Sequence, residues 1–254
     1  MKLAVWNVNP LNVRLPHLLD WLAADQPDVV CLQELKLEDE KFPVTDFERA
    51  GYQAAYSGQK TYNGVAILAR EIPESVEFGI AGLEDPQRRV ISATVGDVRL
   101  VCVYVPNGQS LDSGKYQYKL GWLKSFTAWL REELKTYPAM AVLGDFNIAP
   151  EDRDVHDPKA WEGQVLVSPA ERAAFQEILA LGFKDSFRLF EQPEKSFSWW
   201  DYRMNAFKRN FGLRIDHILL SPLLVPRCKS SSILTGLRKL ERPSDHAPVI
   251  AELD

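Results

Sequence analysis

Met140-Ala141-Val142-Leu143-Gly144-Asp145-Phe146-Asn147 is an apolar run that stops on an acid and, two residues later, on an amide. Short apolar runs bounded by turn signals read as buried strands. A carboxylate just past such a run is costly if it is buried without a partner. The pattern recurs. Leu3-Ala4-Val5-Trp6 ends at Asn7, and Val29-Val30-Cys31-Leu32 ends at Gln33-Glu34. Leu213-Arg214-Ile215 surrounds Asp216-His217, and Ser244-Asp245-His246-Ala247-Pro248 stands directly before Val249-Ile250-Ala251. A single polar strand end is an ordinary solvated terminus. Five of them make sense when the ends converge on one pocket, because reactive groups collect on loops held by a rigid scaffold. Asp245 beside His246 also supplies a carboxylate that can fix an imidazole's tautomer and strengthen it as a cation.

Outward from these runs, helical periodicity is clearest at Leu15–Ala24, Tyr116–Tyr137 and Ala170–Leu181, the last with Ser168 as N-cap and Pro169 at its entry. Further strands are expected at Gln53–Ser57, Val65–Ala69, Val90–Val95, Leu100–Val105 and Ile233–Thr235. Strands outnumber helices and mostly lie within hairpin reach. That favours two packed sheets covered by helices, an α+β fold, over a purely parallel sheet. No low-complexity linker or internal repeat divides the chain, so residues 1–254 are expected to form a single domain.

Composition sets outer bounds. There is no apolar run of 18 residues and no signal-peptide pattern at the N-terminus, so no membrane association is expected. Cys31, Cys102 and Cys228 lack metal spacing and read as reduced thiols, which fits a cytoplasmic protein. The net charge of −5 argues against an indiscriminate polyanion binder. Its distribution is uneven: from Lys195 to Asp245 there are ten Lys and Arg against four acids. Phe197, Trp199, Trp200, Tyr202, Phe207 and Phe211 are interleaved with them, a combination suited to phosphates beside bases or sugars.

Seven motifs occur in a fixed order: Trp6-Asn7-Val8-Asn9, Leu32-Gln33-Glu34-Leu35-Lys36, Asn63-Gly64-Val65-Ala66-Ile67, Tyr104-Val105-Pro106-Asn107-Gly108, Gly144-Asp145-Phe146-Asn147, Leu213-Arg214-Ile215-Asp216 and Ser244-Asp245-His246-Ala247-Pro248. Together they resemble the exonuclease III family of class II AP endonucleases, within the wider endonuclease/exonuclease/phosphatase superfamily. The likeness runs from Lys2 to about Leu253. It implies a four-layer α/β sandwich of two mixed β-sheets flanked by helices. It also implies dependence on Mg²⁺, with Mn²⁺ as a substitute, and hydrolysis of phosphodiesters in duplex DNA beside abasic sites or at blocked 3′ ends. The expected enzyme is a monomer acting at the bacterial nucleoid. The runner-up within the class is a 3′→5′ exonuclease or 3′-end-cleaning phosphodiesterase.

Phosphodiester hydrolysis needs a water nucleophile, neutralisation of charge on the phosphoryl oxygens and help for the leaving alkoxide. Glu34 at a strand end suits Mg²⁺, which takes oxygen ligands, while Asn7 either gives the metal an amide oxygen or holds Glu34. The resemblance implies that Asp145 orients and deprotonates the water, with Asn147 on the same face. It places Asp216 in a network with His246 and the phosphate. His246 would offset phosphate charge with Asp245 or a nearby acid as partner, and Asp245 could also serve the metal. Tyr104 would donate to a phosphoryl oxygen or the leaving group. Trp199, Trp200 and Leu213 resemble the wall of a slot for a flipped abasic sugar, although Trp200 reads equally well as core. Asn107 and the loop to Lys115 would lie against phosphate or the minor groove, and Lys36, Lys60 and Arg88 would contact the DNA backbone.

Overall fold

Along the first strand Leu3 and Val5 face one way while Ala4 and Trp6 face the other, as the two-residue period of an extended chain requires. The computed structural model describes residues 1–254, and this alternation, repeated, builds its layers. The elements run β1 (Lys2–Asn7), α1 (Leu11–Asp25), β2 (Val29–Gln33), α2 (Val44–Arg49), β3 (Gln53–Ser57), β4 (Val65–Ala69) and β5 (Glu74–Phe78). Then come β6 (Val90–Val95), β7 (Val98–Tyr104), α3 (Gly114–Thr136), β8 (Met140–Asp145), α4 (Pro158–Trp161), α5 (Pro169–Leu179) and β9 (Lys184–Asp185). The chain ends with β10 (Trp199–Trp200), α6 (Ala206–Arg209), β11 (Gly212–Leu213), β12 (Asp216–Leu220), β13 (Cys228–Ile233) and β14 (Val249–Leu253).

Two six-stranded mixed sheets result, ordered β13-β14-β1-β2-β4-β3 and β5-β6-β7-β8-β12-β9. In each, one central pair is parallel, β1 with β2 and β7 with β8. A parallel pair needs a crossover, and α1 and α3 supply the two. Leu3, Val5, Cys31, Leu100, Cys102 and Leu143 fill the space between the sheets. On one outer face Leu18, Trp21 and Leu22 of α1 cover Trp6. On the other, Trp122, Phe126 and Leu130 of α3 cover Val101 and Val142. Burying each such side chain stabilises the fold by about 1.5–3 kcal/mol. This is the expected α+β sandwich.

The parallel pairs decide where chemistry can occur. Because β1, β2, β7 and β8 are the crossover-linked strands, Asn7, Glu34, Tyr104 and Asp145 stand at or just past their C-terminal ends. The antiparallel neighbours begin at that same end, with Asp216 directly opposite Asp145 and Val249 opposite Val5. Six segments distant in sequence therefore meet at one edge of the sandwich.

The helix of residues 169–179 starts as the sequence predicts. Ser168 Oγ accepts from the Glu171 amide at 3.2 Å, and the Glu171 carboxylate accepts from the Ser168 amide at 3.1 Å, a reciprocal cap. Two strand expectations need correction. Leu213–Ile215 does not form one strand with Asp216: Gly212–Leu213 pairs with Trp199–Trp200 in a small ribbon, and β12 starts at Asp216. The intervening amides are taken elsewhere, Arg214 by the Asp154 carbonyl and Ile215 by Ser198 Oγ. Asp216 thus stands at a strand's mouth, not in its interior. The Ile233–Thr235 strand ends at Ile233 and extends back to Cys228 through three serines, whose polarity masked it. The mostly exposed edge strand Glu74–Phe78 escapes the sequence reading, since Val76 and Phe78 are its only apolar residues. No helix is long and apolar enough to cross a membrane.

Candidate active site

Asn7 is the hinge of the site. Fully buried at the end of β1, it donates from Nδ2 to Glu34 Oε1 at 2.8 Å and to Asp145 Oδ2 at 2.9 Å, so one amide links the two sheets. Its Oδ1 is buried without a partner. Glu34 follows β2 in a left-handed backbone conformation, φ 54°, a strain of the order of 1 kcal/mol that non-glycine residues keep when the surroundings demand it. Lys36 Nζ lies 2.8 Å from Glu34 Oε2. Glu34, Asp145 and His246 offer ligand atoms within 4.8 Å of one another.

His246 sits between two acids. Its Nδ1 is 2.9 Å from Asp216 Oδ2, and its Nε2 is 3.8 Å from Asp145 Oδ2. Burial opposes a charge on the ring, but Asp216 and Asp145 outweigh it and push the imidazole up to about 10, so it is a cation at neutral pH. Burial pushes the Asp145 carboxyl up as well, to about 7, with His246 opposing and Asp216 adding to the rise. A carboxylate poised near neutrality beside an imidazolium suits proton transfer. Asp145 Oδ1 also accepts from the Asn147 amide at 2.9 Å.

Asn147, at φ 49°, accepts at Oδ1 from Asn107 Nδ2 at 3.0 Å and donates from Nδ2 to the Val105 carbonyl at 2.9 Å. Tyr104 is held protonated well above the usual phenol range by burial and by the nearby Glu34 and Asp145, so its hydroxyl is a donor. Arg89 lies over the Tyr104 ring, 4.8 Å from its centre. A polar cavity of about 730 Å³ opens beside Glu34, Lys36, Tyr104 and Asn107.

The structure brings Asn7, Glu34, Lys36, Tyr104, Asn107, Asp145, Asn147, Asp216 and His246 together. Other expectations require correction. Asp245 is not gathered with Glu34: its oxygens accept from Asn9 Nδ2 at 2.9 Å and Trp199 Nε1 at 3.0 Å. Of the acids expected beside His246, it is Asp216 that bonds its ring. Asp245 and His246, although adjacent, take different hydrogen-bond partners, while the Asp245 charge still helps to hold His246 protonated. Trp200 is not part of an open wall, being 1% exposed among Phe197, Ala206 and Ala247 with its Nε1 on Asn210. Leu213 is likewise buried, packed with Val155, Leu166 and Ile215 behind Trp199. Trp199 alone of the three is partly exposed. Lys60 and Arg88 are exposed.

Supporting residues escaped the sequence reading. Ser244 Oγ donates to the Asn7 carbonyl at 2.6 Å and accepts from the His246 amide at 3.1 Å, joining the end of β1 to the loop that carries His246. Ser198 Oγ accepts from both Ile215 and Asp216 amides. A serine has no sequence signature for such a task; only Ser244, which lies inside a motif, had a position that hinted at it.

The matched family model is the Endonuclease/Exonuclease/phosphatase family, over residues 4–246. The chain belongs to this family. Exodeoxyribonuclease III of Haemophilus influenzae is 38% identical over 99% of both chains. A solved 3′ phosphatase from Neisseria, bound to a product DNA hairpin, is 48% identical, with TM-score 0.98 over 100% of this chain and 99% of that one. An AP endonuclease from Archaeoglobus fulgidus is 39% identical, with TM-score 0.97 over 100% and 99%. Within the family the chain is of exonuclease III type, a hydrolytic nuclease of DNA repair. The unpartnered Asn7 Oδ1 and the Glu34 carboxylate are hard oxygen donors, and they fit a metal ion.

Proposed function

We propose that the protein is an Mg²⁺-dependent phosphodiesterase that incises duplex DNA on the 5′ side of abasic sites, with 3′→5′ exonuclease and 3′-end-cleaning activities at the same centre. The observation that carries this reading is the line Asp216–His246–Asp145 meeting Asn7 and Glu34. It pairs a buried base with a fixed cation and a hard-cation site. Glu34 and the Asn7 amide oxygen would hold the metal, and when bound it neutralises charge on the phosphoryl oxygens.

Asp145, its Oδ1 fixed by the Asn147 amide, orients the attacking water and takes its proton. His246, kept charged by Asp216, faces the phosphoryl oxygen on which negative charge grows. Asn147 adds an amide dipole held in place by Val105 and Asn107. Tyr104 donates to a phosphoryl oxygen or the departing alkoxide. Trp199, the partly exposed aromatic beside the site, forms the wall against which a base-less sugar stacks. The basic 195–245 stretch tracks the backbone.

The test is a cleavage assay with three duplexes: one abasic, one intact with a recessed 3′ end, one nicked with a 3′ phosphate. The reading expects the abasic duplex to be cut fastest and all three activities to vanish in EDTA. The second reading, mainly 3′-end processing, is favoured by the likeness to the Neisseria 3′ phosphatase and by the burial of Trp200 and Leu213. A 3′-phosphate rate far above the abasic rate would select it.

A further inference from the structure

Behind the site lies an ion pair that the chemistry so far does not use. Lys119 of α3 and Glu171 of α5 are both wholly buried, with Nζ 2.5 Å from Glu171 Oε1. The remaining donors of the ammonium go to two carbonyls, Asn147 at 2.7 Å and Asn107 at 3.1 Å. Those two residues are already joined through their side chains. The contacts close a ring: Lys119 to the Asn147 carbonyl, Asn147 Oδ1 to Asn107 Nδ2, and the Asn107 carbonyl back to Lys119.

We infer that Lys119 is a positioning residue for the reaction, its ammonium fixing the Asn107–Asn147 pair from behind while Glu171 aims the ammonium. Stability alone is a poor reason for the pair, since an apolar replacement of similar volume is often neutral or better. What a buried lysine supplies and an apolar side chain cannot is three donors spread tetrahedrally, here matched by three acceptors. Two of these are main-chain atoms of residues facing the reacting centre. Asn147 needs that support because its φ of 49° is a conformation that asparagine tolerates but does not hold by itself. Glu171 is anchored independently: its carboxylate accepts from the amides of Leu166 at 3.0 Å and Ser168 at 3.1 Å, and from Ser168 Oγ at 2.6 Å. The aim of the ammonium is therefore set by a rigid helix cap. The bottom of the site is tied to α3 and α5 instead of floating on the loop that precedes α3.

The inference rests on Asn147 belonging to the reacting set, and the experiment separates the two claims. Lys119→Met combined with Glu171→Gln removes both charges at nearly constant volume. The expected result is a fall in kcat of about 10- to 100-fold, the usual consequence of small misplacement in a site, with KM for DNA changed less than about threefold. The Asn147 side-chain amide resonances should shift, and the loss should be less than multiplicative with Asn107→Ala. Wild-type kcat with unshifted amides in a folded double variant overturns the inference. Should the double variant fail to fold, Lys119→Arg keeps the charge for Glu171 but presents a planar fork. A kcat reduced at unchanged Tm then supports positioning, whereas wild-type kcat overturns it. Asn147→Gly, which tolerates the backbone conformation, reports on the underlying reading. Full activity there removes Asn147 from the reaction, whatever Lys119 does.

Discussion

His246 Nδ1 lies 2.9 Å from Asp216 Oδ2, and Asp216 stands in register opposite Asp145 across β8 and β12. One antiparallel pairing thus sets two carboxylates at a fixed spacing, and the imidazole from the chain's last loop enters between them. The cation is a product of that register: a one-residue slip would turn Asp216 to the other face of the sheet.

Asp216→Asn tests the point, since it preserves shape and removes the charge. With it His246 should titrate well below about 10, readable from its imidazole resonances. The rate of hydrolysis should fall about 10²- to 10⁴-fold, the range for losing an electrostatic stabiliser or general base, while duplex binding changes little. His246→Asn should cost a similar amount. The double variant should lose less than the product of the singles if the residues act as a unit; multiplicative losses would count against a shared role.

At the metal end, Lys36 Nζ occupies Glu34 Oε2 at 2.8 Å, so an incoming cation must compete with an ammonium. Glu34→Gln should abolish measurable Mg²⁺ binding by isothermal titration while leaving the melting temperature nearly unchanged. Lys36→Met should strengthen Mg²⁺ binding in the absence of DNA, by up to about fivefold, since a partly exposed ion pair is worth up to about 1 kcal/mol. Undiminished Mg²⁺ affinity in Glu34→Gln would move the ion elsewhere.

Much of the site was legible because its residues break the apolar rule of the strands they end. Asn7, Glu34 and Asp145 announce themselves as polar groups where burial is expected, and the two-sheet architecture follows from the count and spacing of the runs. Pairwise direction was not legible. Asp245 and His246 are neighbours in sequence but bond to different partners, Asp245 to Asn9 and Trp199 and His246 to Asp216. The tryptophan pair divides because adjacent side chains of a strand point apart: Trp199 turns toward Asp245 and Trp200 into the core. The positions that hold the loops, Ser244, Ser198 and Lys119, act through backbone partners distant in sequence, and no local pattern records such contacts.

His217, one residue beyond Asp216, gives a pH dependence of stability. It is fully buried, with Nε2 2.9 Å from the Ile148 carbonyl and Nδ1 3.0 Å from Arg214. Nε2 therefore carries the proton and Nδ1 accepts from the guanidinium. Burial first, then Arg214, depresses its pKa from 6.5 to about 4. Between those values the unfolded chain binds the proton and the folded one does not. The contribution is complete above pH 6.5 and is lost as pH falls toward 4, by about 3 kcal/mol in all. Urea unfolding in EDTA should show this loss in the native chain. His217→Gln, which can make the same two hydrogen bonds without titrating, should lack that part of it. An identical pH slope in both proteins would locate the acid sensitivity elsewhere.

The tryptophans provide the last prediction, on selectivity. Trp199 is partly exposed, hydrogen-bonded through Nε1 to Asp245 and 6.4 Å edge-on from Trp161, so its ring is oriented rather than free. A base-less sugar stacking on it should gain about 1–3 kcal/mol, as one group in a tight pocket contributes to discrimination. Trp199→Ala should then slow abasic-site incision by roughly ten- to a hundredfold, with little change for a small generic phosphodiester. Trp200→Ala is the contrasting case. Its ring is 1% exposed and packs edge-on to Phe207 at 5.1 Å, so the loss should appear as about 3–5 kcal/mol of stability and reduce activity toward both substrates together. If Trp199→Ala instead slows both substrates equally and lowers the melting temperature, Trp199 is a core residue like its neighbour, and selectivity for the abasic sugar arises elsewhere in the cleft.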